Sequence, residues 1–259
     1  MHFRPGQAGN VLRGALGSIL RKIASAEDYA RIFEPASDGL AAGARPSGLA
    51  DWPRPFVIRA ASLDGQTLKP GDPFSFGLNL FDIRNPALEH FTRAFAQWAR
   101  MVSMEHSEVV VDLSPGRTPI PRIRVEFQTP TELKAAGQVG YGGAGSAEFS
   151  VLLARARDRL STLRSLYGAG PLEIDFRGLA ERARCVKTVR CELRRVAFER
   201  RSSRTGQRHD IGGFIGSAEY EGDLAEFLPY LHAAHWTGVG RHCTWGNGQI
   251  HTEILNSEF

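Results

Sequence analysis

Cysteine is scarce in this chain: its 259 residues include Cys185, Cys191 and Cys243, an odd number, widely spaced and with no Cys-x-x-Cys pair. This argues against a disulfide framework and a structural zinc site, and for a reducing compartment. Long apolar runs are missing too. None approaches a membrane span, although 42% of the residues are hydrophobic, enough for well-packed cores. The eight histidines form no His-Glu-x-x-His or other metal spacing, and neither Gly-x-Ser-x-Gly nor a catalytic cysteine signature is present. No metal and no cofactor is therefore expected. Acidic residues are absent before Glu27, so the chain opens on a basic, amphipathic stretch somewhat like a transit peptide. Its apolar face flows into the domain without a linker, and a functional helix is the expectation. With no signal peptide evident, a cytoplasmic location and no membrane partner are expected.

What is present is unevenly spread. Residues 151–210 hold 15 Arg/Lys against 7 Asp/Glu, a net +8, while the other 199 residues hold 17 against 21, a net −4. Arginine outnumbers lysine 14 to 1 in that block. Arginine is suited to bidentate phosphate contact and to stacking on bases, so the block points to a polyanionic partner. A solvated helix face of unpaired arginines is the plainer alternative.

Asn10 reads as the N-cap of a helix to about Ala24, with Val11, Leu12, Ala15, Leu16, Ile19, Leu20 and Ile23 at helical spacing. A Gly/Ala/Ser/Pro loop over 34–50 precedes strands at 55–60 and 73–81, a helix over 86–102 and a strand at Val109–Val111. The proline run from Pro115 to Pro121 suggests an interdomain boundary, which gives domains 1–116 and 117–259. The second half reads as a strand at 122–128, a helix at 146–167, strands near 186–200 and 211–221, a helix from Asp223 to Ala234 and a strand at 248–254. The order β-α-β-β-α-β is the ferredoxin-like arrangement also used by RNA-recognition modules. The first half gives the same pattern with its opening strand reduced or missing. The expected fold is α+β: two tandem ferredoxin-like domains with a C-terminal glycine-rich loop.

That loop, Gly238-Val239-Gly240-Arg241-His242-Cys243-Thr244-Trp245-Gly246-Asn247-Gly248, is the most informative stretch. Four glycines allow positive φ and close approach of a ligand to the main chain, and Arg241 adds a fixed charge suited to phosphate. The segment alone reads equally as a glycine-softened hairpin. His235 and His242 are the nearest acid–base candidates, with His209 further off. Arg155, Arg157, Arg159 and Arg164 suggest a basic helix surface. Arg194, Arg195, Arg200, Arg201, Arg204 and Arg208 suggest a basic strand end and hairpin tip that tracks a phosphate backbone. Gly140-Tyr141-Gly142-Gly143-Ala144-Gly145 fits Gly-x-Gly-x-x-Gly, but Leu133–Val139 is a poor strand, so a plain loop is the expectation over a dinucleotide site.

Taken with Gly212-Gly213-Phe214-Ile215-Gly216 and the helix after Asp223, the terminal loop resembles the RAMP proteins of CRISPR systems, in particular the endoribonucleases that process precursor CRISPR RNA. The chain carries all four loop glycines, Val239 and the basic Arg241 of that pattern, and departs from it at Asn247, where a hydrophobic residue is expected. Leu12-Arg13-Gly14-Ala15-Leu16-Gly17 and Asp51-Trp52-Pro53-Arg54-Pro55-Phe56 also look like bacterial members. The resemblance implies two ferredoxin-like domains and metal-independent cleavage, with the 2′-hydroxyl attacking the adjacent phosphate. It implies CRISPR repeat RNA as substrate, retained product and effector-complex subunits as partners. Many members place a catalytic histidine just after the first helix, whereas residues 22–50 here contain none and offer Lys22, Tyr29 and Arg31, with Arg21 beside them. The site set is thus Arg241 for phosphate stabilisation, Arg21 as its partner from the first helix, and His242 or His235 for acid–base work. Gly238, Gly240, Gly246 and Gly248 and the two arginine groups would hold the RNA. The alternative is a non-catalytic RAMP subunit that binds CRISPR RNA as scaffold. A nucleotide-dependent enzyme using Gly140–Gly145 is a more distant third.

Overall fold

The computed structural model describes residues 1–35, 52–133, 147–201, 208–210 and 212–255. Contacts divide the chain into two units: Met1–Val110 with Ser161–Pro171 and Thr244–Gly246, and Val111–Leu160 with Leu172–Cys243 and Asn247–Phe259. No helix among the described residues is long and apolar enough to cross a membrane.

The first unit contains α1 (Ala8–Ile23), α2 (Ala26–Phe33), the antiparallel pair β1 (Phe56–Arg59) and β2 (Gly77–Leu80), and α3 (Leu88–Trp98). Helix α1 starts two residues before the expected Asn10. The Asp64 carboxylate, distant in sequence, accepts from the N–H groups of Gln7 at 3.1 Å and Ala8 at 2.9 Å and so caps the helix. Burial holds the Asp64 carboxyl above its usual range against the pull of those same N–H groups. Leu12, Leu16 and Leu20 are fully buried on one stripe, together with Phe56, Ile58 and Phe91. Gly17 admits the Phe33 ring; a Cβ there would lie 2.4 Å from it. Helix α2 was not anticipated, although Ser25 and Asp28 carry the signal: the Ser25 hydroxyl accepts from the Asp28 N–H at 3.0 Å.

The opening strand of this unit survives as a single bridge between His2 and Thr67, which is the reduced form expected. The strand expected at Val109–Val111 does not form. Val109 and Val110 are 51% and 95% exposed, with no neighbouring strand to complete a ladder.

The second unit's elements are β3 (Arg122–Thr131), α4 (Phe149–Tyr167) as far as Leu160, α5 (Phe176–Arg184), β4 (Lys187–Val196), the short pair β5 (Glu199–Arg201) and β6 (Arg208–Asp210), β7 (Gly213–Glu221), α6 (Leu228–Thr237) and β8 (Ile250–Ile254). The antiparallel sheet runs β4-β7-β3-β8, the strand arrangement of a ferredoxin-like domain. Alternation on β3 puts Ile123, Val125 and Phe127 into the core and Arg122, Arg124 and Glu126 on the open face. The covered face packs Phe149 of α4 at 5.1 Å from Tyr220 and 5.2 Å from Phe227, and the Tyr220 hydroxyl donates to the Ala147 carbonyl. Helix α6 begins five residues later than expected, with Pro229 in its first turn, a preferred proline position.

Candidate functional site

The glycine loop starts where α6 stops. All four of its glycines adopt positive φ: 74° at Gly238, 81° at Gly240, 90° at Gly246 and 71° at Gly248. At Gly240 the space is closed as well, since a Cβ would lie 2.3 Å from the Glu132 carbonyl oxygen; at Gly248 it would lie 2.0 Å from that of Val239. The Val239 N–H donates to the Gly248 carbonyl at 2.9 Å and closes the neck of the loop. The Gly248 N–H reaches the Pro130 carbonyl at 3.0 Å, and the Arg241 N–H reaches that of Glu132 at 3.2 Å, fixing the loop to the end of β3. Val239 is fully buried, and so is Asn247, where the resemblance led to a hydrophobic residue: a polar side chain fills that place.

Two candidate residues meet one carboxylate here. Arg241 Nη1 donates to Glu132 Oε1 at 3.0 Å and Oε2 at 3.4 Å. His242 Nε2 stands 3.7 Å from Glu132 Oε2, and His242 has φ of 62°, the one non-glycine positive φ among the described residues. The Glu132 side chain is only 8% exposed, whereas that of Arg241 is 46% exposed. Of Arg241's donors, those on Nη1 alone meet a protein acceptor among the described residues. The rest of the guanidinium faces outward.

His235 lies on α6 with Nδ1 at 3.0 Å from the Ile250 carbonyl. A carbonyl only accepts, so Nδ1 carries a proton in this contact. The ring packs edge-on against Trp236 at 5.2 Å and His251 at 6.1 Å. Burial lowers the pKa of the neighbouring His232, and His235 and His251 lower it further. Arg21 belongs to the first unit, where its guanidinium stacks over Tyr29 at 5.4 Å. In the same unit Arg31 bonds Asp82 at 3.0 Å and Asp28 at 3.2 Å. Among the described residues no group of His, Cys, Asp and Glu stands together as a metal site.

The arginines of α4 do not form the basic surface their spacing suggested. Arg157 and Arg159 are buried, at 8% and 4% exposure. Arg157 donates to Asp158 Oδ1 at 3.0 and 2.7 Å and to the Phe176 carbonyl at 3.1 Å, and lies over the Phe176 ring at 5.0 Å. Arg159 Nε donates to the Thr237 carbonyl at 2.8 Å, satisfying the C-terminal end of α6. Arg155 stands 3.9 Å from Asp158 with its side chain 17% exposed, and Arg164 is partly buried. Helix α5, which sequence reading missed, supplies Phe176; its signal was Asp175, whose carboxylate accepts from the Gly178 N–H at 2.9 Å. Exposed cations sit instead at Arg184, Lys187, Arg194 and Arg195, at the end of α5 and along β4. The side chains of Arg200, Arg201 and Arg208, and all of Arg204 and the Gly140–Gly145 loop, lie outside the described residues.

The open sheet face also differs from a base-stacking platform. Register places Arg122, Arg124, Lys187, Arg190 and Arg194 beside Glu126, Glu192, Glu219, Glu221 and Glu253, so the charges balance. At its centre Glu219, with a side chain 4% exposed, accepts from Arg122 at 2.7 Å and Arg124 at 2.8 Å. The bonds from Arg124 and then Arg122 hold its carboxyl below the usual range. A groove of about 480 Å³ over this network is lined by charged and polar side chains and no Phe, Tyr or Trp.

Residues 125–250, from β3 to the end of the loop, match the family described as CRISPR-associated endoribonuclease Cas6, and residues 3–112 match a family described as an N-terminal domain. A Cas6 product complex (TTHB231) is similar over 97% of this chain and 95% of its own, at 15% identity and TM-score 0.57. A second Cas6 product complex (TTHA0078) is similar over 98% and 95%, at 16% identity and TM-score 0.54. Cas6 of Thermus thermophilus (TTHB231) is similar over 96% and 91%, at 14% identity and TM-score 0.51. No match is found among the curated proteins. These structural likenesses support the fold: two tandem ferredoxin-like domains, the first with a reduced opening strand. Residues 125–250, which hold the glycine loop and most of the sheet, belong to the CRISPR-associated Cas6 family.

Proposed function

We propose that this protein cuts CRISPR repeat RNA without a metal cofactor and keeps the product for an effector complex in the cytoplasm, with residues 1–116 and 117–259 as its two domains. In the step proposed, a ribose 2′-oxygen forms a bond to the adjacent phosphorus while the bond to the 5′-oxygen breaks. The 2′-hydroxyl proton goes to a base and the leaving oxygen receives one from an acid. The products are a 2′,3′-cyclic phosphate and a 5′-hydroxyl. The observation that carries this reading is Arg241, anchored at one nitrogen and half exposed, on a loop inside the Cas6 family segment. A preorganised donor aimed at the charge that develops on the phosphorane contributes roughly 10²–10³-fold. His235 and His242, the latter beside Arg241, are the acid–base candidates, with Arg21 of α1 as a further candidate. Arg194 and Arg195 on β4, with the hairpin that follows, would hold the repeat.

The test is cleavage of repeat RNA in EDTA, with and without a single 2′-deoxy substitution at the cut. Cleavage in EDTA that stops in the deoxy RNA is expected; cleavage that persists in the deoxy RNA would sink the mechanism. The second reading, a subunit that binds CRISPR RNA as scaffold, is favoured by the lack of histidine in residues 22–50. Retention of uncut RNA under the same conditions would establish it.

A further inference from the structure

We infer that Glu132, at the end of β3, is a positioning residue for RNA cleavage: its buried carboxylate aims Arg241 and His242 at the reacting phosphate. This rests on the proposed function and adds to it a residue that no motif marked. The loop does not need the carboxylate to hold its shape. Main-chain bonds from Val239 to Gly248, from Gly248 to Pro130 and from Arg241 to the Glu132 carbonyl already close it and fix it to β3. The carboxylate does something further. It takes up Arg241 Nη1 through both oxygens, at 3.0 and 3.4 Å, which fixes the plane and heading of a side chain that is otherwise 46% exposed. Without that anchor, a long arginine side chain samples many rotamers, and ordering it when substrate arrives is costly.

The same carboxylate faces His242. The left-handed conformation there, φ 62°, is unfavourable for a residue with a Cβ and is retained only where its surroundings impose it. At 3.7 Å from Glu132 Oε2, His242 Nε2 is beyond hydrogen-bond length, and the two attract as charges when the imidazole is protonated. Glu132 therefore stands beside two neighbouring candidate groups as one buried carboxylate, while Arg241 stays half exposed. A carboxylate placed there to compete with the RNA phosphate would act in the opposite sense, and its removal would speed cleavage.

The experiment compares native protein with E132Q, E132A, R241A and the double variant E132A/R241A in single-turnover cleavage of repeat RNA, each shown folded by thermal melting. E132Q is expected to lower kcat by about tenfold with KM changed less than about twofold, the size typical of coupled neighbours. The double variant is expected to lose less than the product of the two single effects, because Glu132 acts in part through Arg241. Native-like or faster cleavage by E132Q overturns the proposal, and so does a double variant that loses the product of the two single effects. Should the native protein fail to cleave, the proposed function falls, and positioning is still read from the Arg241 side-chain NMR signals in RNA-free protein. Signals resolved in the native protein and broadened in E132Q support it; signals unchanged in E132Q overturn it.

Discussion

Helix α4 and the glycine loop each set arginine beside a buried carboxylate, and the two sites are opposites in what they leave over. Asp158 takes two bonds from Arg157, the Phe176 carbonyl takes a third, and the Phe176 ring lies under the guanidinium. Glu132 takes Nη1 of Arg241 and no more, and the Arg241 side chain remains 46% exposed where that of Arg157 is 10% exposed. A count of arginines therefore measures charge and says nothing of availability. The dense cluster on α4 fastens helices together, and the single arginine of the loop is the one proposed to meet the RNA.

The sharpest way to break this contrast is to remove one arginine from each site. R241A is expected to slow repeat-RNA cleavage by roughly 10²–10³-fold while its melting temperature stays close to native. R157A is expected to do the reverse. It takes from the buried Asp158 carboxylate its two guanidinium bonds, with Arg155 still 3.9 Å away, and from the Phe176 carbonyl a third, at a cost of about 2 kcal/mol of stability in chemical denaturation. Its cleavage rate per folded molecule should match native. If R241A melts far below native, or R157A is stable and slow, the assignment of the two sites is wrong.

How much of this was legible follows from the range of each interaction. The strands of the second unit alternate strongly, as at Ile123, Val125 and Phe127, so their order and the ferredoxin-like sheet could be read from local pattern. Helices α2 and α5 were missed although Ser25 and Asp175 cap them, because both are short and lack a long apolar stripe. The strand at Val109–Val111 was read from β-branched residues, but a strand needs a neighbour, which propensity does not supply. In the loop, the glycines and Arg241 stood out. Glu132 did not: it lies 109 residues from Arg241, and nothing near it in sequence marks a carboxylate as buried. The burial of Arg157 and Arg159 was hidden for the same reason, since Phe176 and Thr237 come from other elements.

If α4 is not the RNA grip, the exposed cations of β4 should carry that role. R194A/R195A is expected to weaken binding of repeat RNA evenly across sequences and to flatten the dependence of log affinity on log salt by about one unit per lost phosphate contact. R155A, whose side chain is 17% exposed, should leave that slope unchanged. A slope that moves with Arg155 and not with Arg194 and Arg195 would return the grip to the helix.

The smallest expected effect concerns a third carboxylate among arginines, Glu219 on the open sheet face. Bonds from Arg124 and Arg122 lower its pKa in the folded state below the unfolded value of about 4.3. A carboxyl lowered in this way stabilises the fold above the unfolded pKa, and the contribution is lost as pH falls through the folded value. Stability of native protein, followed by denaturation between pH 6 and the acid limit, should therefore decline more steeply than that of E219Q, which has no such proton to take up. Because Glu219, unlike Glu132, sits in a balanced network away from the glycine loop, cleavage at neutral pH should be the same in both proteins. A loss of cleavage in E219Q would instead mean that the centre of the open face takes part in handling RNA, and the contrast between structural and functional arginines would then have to include Arg122 and Arg124 on the functional side.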